Sequence, residues 1–93
     1  MGISDVTTDD TLTRASDSLQ AAYFRGALAD QRALICAEIA RQNRELGSMS
    51  TKSDALAISR LRREIRANET ERRDLDRMIG ALDHRFAAAW ASP

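Results

Sequence analysis

Residues 58–89 set down their core-type positions in strict alternation of three and four. The series runs Ile58, Leu61, Ile65, Asn68, Arg72, Leu75, Ile79, Leu82, Phe86 and Ala89. A repeat of 3.5 residues sustained over that length belongs to a helix that packs against another helix, with a left-handed supercoil. No β fold can use it, because strands alternate with a period of two. The only proline is Pro93 and the four glycines are scattered, so nothing breaks a long helix here. The series also has a gap. Its middle holds an amide, Asn68, and a guanidinium, Arg72, where apolar side chains belong.

The first half of the chain repeats the rhythm twice. Phe24, Leu28, Gln31, Ile35, Ile39, Gln42 and Leu46 form one stripe of large residues. Leu12, Ala15, Leu19, Ala22, Gly26, Ala29, Ala33, Cys36 and Ala40 form a second, small from Ala22 onward. At 100° per residue the two stripes lie roughly 160° apart. A helix apolar on opposite sides has two partners. The other helix of the same chain covers one, and a second protein chain is expected on the other. Ala22, Gly26, Ala29, Ala33, Cys36 and Ala40 are therefore the expected self-association seam. The intramolecular seam is expected from Phe24, Leu28, Ile35, Ile39, Leu61, Ile65, Leu75, Ile79 and Leu82.

Punctuation divides the chain accordingly. Residues 1–10 read as an acidic tail, with Thr7 and Asp10 at capping-box spacing. One helix spans about 11–46 and ends at Gly47 as a C′ glycine. Residues 47–52 turn. Ser50, Thr51 or Ser53 caps a second helix over about 53–90. A short connection favours antiparallel neighbours. The expected fold is all-α, an antiparallel two-helix hairpin with coiled-coil packing that oligomerisation or a partner completes. If Leu46 faces Ser53, Gln31 lies opposite Asn68 and Leu28 opposite Arg72. Gln31, Asn68 and Arg72 then form a polar core layer that fixes register. Arg72 is left to find an acid such as Asp30 or Glu69.

Chemistry is excluded more firmly than function is named. Fourteen Lys and Arg balance fourteen Asp and Glu, which disfavours a general nucleic-acid or anionic-membrane binder. Arg60, Arg63 and Arg66 could follow phosphates at the hairpin tip, but no aromatic residue interleaves them for base stacking. Cys36 is the sole cysteine and His84 the sole histidine, on different helices, too few for a zinc site. The serines cluster in the tail and the turn, away from His84, and no glycine-rich phosphate loop occurs. No catalytic residue and no cofactor are expected. No run approaches the ~18 apolar residues of a membrane span, so the chain reads as cytoplasmic, or as virion-borne if phage-encoded. Trp90 either caps the open end of the hairpin or anchors a partner.

One stretch carries a resemblance. Residues 38–71, EIARQNRELGSMSTKSDALAISRLRREIRANETE, end a helix in ELG, turn through serines, and start a capped helix with LRREI. This is similar to small phage head–tail joining proteins of the gpW type, in which two helices flank a short β-hairpin and many copies ring the neck of the virion. The turn here is too short for that β-hairpin and both helices are longer. The resemblance implies a structural or assembly role and transfers no site residue. The arginine-rich run 61–79 also loosely resembles the opening helix of the small all-helical chorismate mutases. Those enzymes add ligands from later helices, and residues 80–93 offer none. The partners expected are therefore the chain itself, another helical protein, or both. One form of the reading is a subunit of an assembly. The other is a small regulator that binds and inhibits a host coiled-coil protein.

Overall fold

The computed structural model describes residues 2–50, 52 and 54–91, with side chains described from Leu12 onward. Two helices account for it: α1, Gly2–Gly47, and α2, Ala55–Ala91. They pack antiparallel as one hairpin, and no strand occurs among the described residues. α1 runs through the segment expected as a tail, so Thr7 and Asp10 lie inside the helix rather than at its start. Their side chains lie outside the described residues.

The turn is built differently from a glycine-capped one. Gly47 is the last residue of α1, and no glycine among the described residues has positive φ. The helix tightens instead: Ser48 N donates to Glu45 O and Met49 N to Leu46 O, the i→i−3 pattern of a terminal turn. Ser48 Oγ also donates to Glu45 O at 2.7 Å. Asp54 N then donates to Ser50 O at 3.0 Å. Asp54 Oδ2 accepts from Ser50 N, and Ile58 N donates to Asp54 O. Asp54 thus stands at the head of α2 and closes the turn with its own carboxylate. Thr51 and Ser53, two of the expected caps, lie outside the described residues.

The helices pack in a register shifted from the expected one. Trp90 meets Ser18, Asp83 meets Arg25 and Asp76 meets Arg32, so partner numbers sum to 108 rather than the 99 of a tight reversal. α2 therefore starts about six residues beyond the end of α1, and α1 projects about fifteen residues beyond the end of α2. At about 1.5 Å per residue, α1 plus the first overhang accounts for the long dimension of the 79 × 21 × 15 Å molecule.

The α2 face follows the sequence pattern. Ile58, Leu61, Ile65 and Leu75 are buried, and Asn68, Arg72, Ile79, Leu82 and Phe86 are half-buried. Only the end departs: Ala89 is exposed and Trp90 takes the inner place. On α1 the inner positions are Ser18, Ala21, Arg25, Leu28, Arg32, Ile35, Ile39, Gln42, Leu46 and Met49, again by threes and fours. Phe24, expected in the seam, is 53% exposed, and Gln31 is exposed as well. Arg25 and Arg32 hold the inner places because Asp83 and Asp76 face them. No large side chain among the described residues is wholly buried; even Leu75 keeps 3% of its surface.

Candidate functional site

The polar layer forms, with a different partner. Asn68 Nδ2 donates to Gln42 Oε1 at 3.0 Å, and Gln42 is 3% exposed. Gln31 instead donates to Glu71 Oε1 at 3.4 Å on the exposed flank. The reason is the shifted register, which moves the residue opposite Asn68 by about three helical turns. An amide pair in an apolar seam disfavours slipping, because any other register leaves both amides unpaired.

Arg72 stays without an acid. It is half-buried, and its Nε is covered yet makes no hydrogen bond among the described residues. Asp30, one candidate for it, is on the outer side of α1. Trp90 is an internal cap: its Nε1 donates to Ser18 O at 3.0 Å, and its ring stacks on Phe86 with centroids 5.8 Å apart. Arg85 lies 5.0 Å from the Phe86 centroid and closes that end with a cation–π contact.

The open half of the hairpin is tied by charge. Arg25 grips Asp83 with a fork, Nε to Oδ1 at 2.5 Å and Nη2 to Oδ2 at 3.0 Å. Arg32 Nε pairs with Asp76 one heptad on. The hydrogen bond from Arg25 holds the Asp83 carboxyl below its usual pKa, and raises that of Arg25. On the outside of α1 near the turn, Arg41 binds Glu38 at 2.6 Å and Glu45 at 3.1 Å, and its hydrogen bond holds the Glu38 carboxyl low.

With arginines turned inward, the apolar residues of the same stretch face out. Leu12 is 63% exposed, Leu19 73%, Tyr23 84% and Leu34 73%. They share one side of α1, directly opposite the Ala21–Leu28–Ile39 line. Ala22, Tyr23, Gly26, Ala27 and Asp30 line an open groove on that side. A Cβ built on Gly26 meets nothing within 4 Å, so nothing in the free chain calls for glycine there. Of the small residues assigned to a self-association seam, Ala22, Gly26, Ala33 and Ala40 are exposed, whereas Ala29 and Cys36 are partly covered. Leu12 and Leu19 belong to the second stripe of the sequence, whereas Tyr23 and Leu34, on the same side, fall outside it. Their signal was the step of four from Leu19 to Tyr23.

At the tip, Arg60, Arg63 and Arg66 are exposed and form no ion pair among the described residues. No cluster of three or more His, Cys, Asp or Glu fit to hold a metal occurs among the described residues, and none of their helices is long and apolar enough to cross a membrane. Comparison with family models, curated proteins and solved structures returned no match for the chain.

Proposed function

We propose that this chain is a non-catalytic helical subunit that works through protein–protein contact, with the outer face of the open half of α1 as its binding surface. The observation that carries the reading is the exposure of Leu19, Tyr23 and Leu34 on one side of a helix whose other side is already engaged. Several large apolar side chains left exposed on one side of a helix are the mark of an interaction site. The surface total agrees. A compact monomer of this mass exposes about 5,400 Å²; this chain exposes 7261 Å² at 10.3 kDa. Two helices with no wholly buried large side chain among the described residues have little core of their own, and a partner supplies the missing cover.

The biological setting that fits such a module is a structural or adaptor subunit of a larger helical assembly, of which a phage head–tail component is one form. A regulator docked on a host coiled coil would use the same face with a foreign helix. Mass measurement separates them. Light scattering on the pure protein and on the complex from its native source should give an assembly above 10.3 kDa. Leu19→Arg combined with Leu34→Arg should reduce it to the hairpin without loss of helical circular dichroism. If the double variant keeps the full mass in both preparations, the face is not the binding surface.

A further inference from the structure

The outward residues of α1 are arranged as a palindrome. In order they are Leu19, Tyr23, Gly26, Ala27, Asp30 and Leu34, with steps of four, three, one, three and four. Read from either end, the spacing is the same. All are exposed, and the groove of Ala22, Tyr23, Gly26, Ala27 and Asp30 lies at the centre of the series. We propose that a second copy of this chain occupies this face, α1 against α1, antiparallel about a two-fold axis between Gly26 and Ala27. The proposal rests on the functional reading above and names its partner.

Each half of the palindrome matches the other chemically. In this register Leu19 meets Leu34 of the second copy, and Leu34 meets Leu19. Gly26 meets Ala27, so the two backbones approach closely where a Cβ at Gly26 would otherwise be free. Tyr23 meets Asp30. The Tyr23 hydroxyl donates to the Asp30 carboxylate twice over, once on each side of the axis. Asp30 is the one charged residue on the outer strip between Leu12 and Ala40, and it has no hydrogen bond or ion pair among the described residues. A self-complementary patch of this kind is what an isologous two-fold interface requires.

Electrostatics selects the antiparallel arrangement. A parallel pair would set Asp30 beside Asp30 and Tyr23 beside Tyr23. The antiparallel pair separates the two Asp30 carboxylates by about 10 Å along the axis, seven residues at the helical rise. At each end Leu12 reaches Arg41 of the other copy, whose guanidinium is already held by Glu38 and Glu45. The surface allows it as well. The excess over a compact monomer is about 1,900 Å² by the scaling used above, more than the ~800 Å² per partner of a standard interface.

Single cysteines in a Cys36→Ser chain test this with a short bismaleimide. Ala27→Cys should cross-link to itself, since its two copies lie one residue apart across the axis. Leu34→Cys should not, since its two copies lie about 22 Å apart along the axis. An equimolar mixture of Leu19→Cys and Leu34→Cys, one carrying a mass tag, should give the mixed dimer in several-fold excess over either self-product. Asp30→Ala and Tyr23→Phe should each raise the dissociation constant by about tenfold with helicity kept. Self-cross-linking of Leu34→Cys at the mixed-pair yield overturns the antiparallel register while the functional reading stands. A monomer at every concentration overturns the second copy as the occupant. The functional reading fails separately, when the paired arginine variants leave the native complex unchanged.

Discussion

The two halves of α1 divide their charged and apolar residues differently between the inner and outer faces. From Ile35 to Met49 the inner positions are Ile35, Ile39, Gln42, Leu46 and Met49, and the outer ones include Arg41, Arg44 and Glu45. From Leu12 to Leu34 the inner positions include Arg25 and Arg32, and the outer ones are Leu12, Leu19, Tyr23 and Leu34. Both halves pack on the same α2. The turn half is stabilised as hairpins usually are, by removing apolar area from water. The open half keeps a thinner apolar seam of Ala21, Leu28 and Leu75 and adds partly exposed ion pairs and one indole hydrogen bond, each worth little alone. Its remaining large apolar side chains face out. A helix with large apolar residues on both sides in one half is what the proposed binding role requires.

The largest expected difference comes from truncating leucines on opposite faces of the open half. Leu75→Ala or Leu28→Ala removes a buried seam residue and should cost about 2–5 kcal/mol, enough to melt the hairpin at room temperature. Leu19→Ala and Leu34→Ala should change the stability of the isolated hairpin by no more than about 0.5 kcal/mol, while lowering the assembled mass. Urea melts followed by circular dichroism, in dilute protein, decide it. Equal losses at Leu28 and Leu19 would mean that the outer face is already covered within the chain.

α2 was legible almost residue by residue, because its inner face is apolar, regular and opposed to a charged outer one. α1 was legible throughout its turn half, where Ile35, Ile39, Gln42 and Leu46 hold the expected inner places, and in the open half at Leu28. In the open half, the hydrophobic pattern pointed to Phe24, and the structure turned Arg25 and Arg32 inward instead. Hydrophobicity cannot announce that choice. Charge pairing could have: Arg25 and Arg32 are seven apart, as are Asp76 and Asp83, and only one register joins both pairs. The same sum would have brought Trp90 to Ser18, and close to it Gln42 to Asn68. The register expected from a tight turn missed them because Asp54, at the head of α2, is bonded back to Ser50 and α2 starts later than a tight reversal would have it.

The middle of the seam yields intermediate effects. Gln42→Leu leaves the Asn68 amide facing a methyl group and should cost about 1–3 kcal/mol. Asn68→Leu added to it should restore much of that, with a coupling energy outside the ~0.3–0.5 kcal/mol scatter of independent sites. Arg72→Met should act in the opposite direction. It removes a covered Nε that has no hydrogen-bond partner among the described residues, and a gain of about 1–3 kcal/mol is expected. A loss there would show that the guanidinium is engaged by an acid in solution. Gly26→Ala should add about 1 kcal/mol of helix propensity to the dilute hairpin, because the new methyl meets nothing within 4 Å.

The smallest effect is the one that separates the halves most directly. Asp83 has its pKa lowered, chiefly by the hydrogen bond from Arg25. A depressed folded pKa contributes stability that is complete above the unfolded value, about 3.9, and is lost as pH falls through the folded one. That contribution belongs to the open half. Glu38, also held low, sits on the outside of α1 and its partner Arg41 is on the same helix, so its protonation does not part α1 from α2. Trp90 is the single tryptophan and stands at the open end, hydrogen-bonded to Ser18. Its fluorescence therefore reports the open half, whereas circular dichroism reports both helices. On acidification from pH 5 to pH 2 at low salt, the Trp90 signal should shift before helicity declines. Asp83→Asn should remove that early shift and leave the later loss in place. If fluorescence and helicity fall together in the wild type, the ion-paired half is no looser than the apolar half, and the apolar side chains on the outside of α1 were not displaced from a core the hairpin needed.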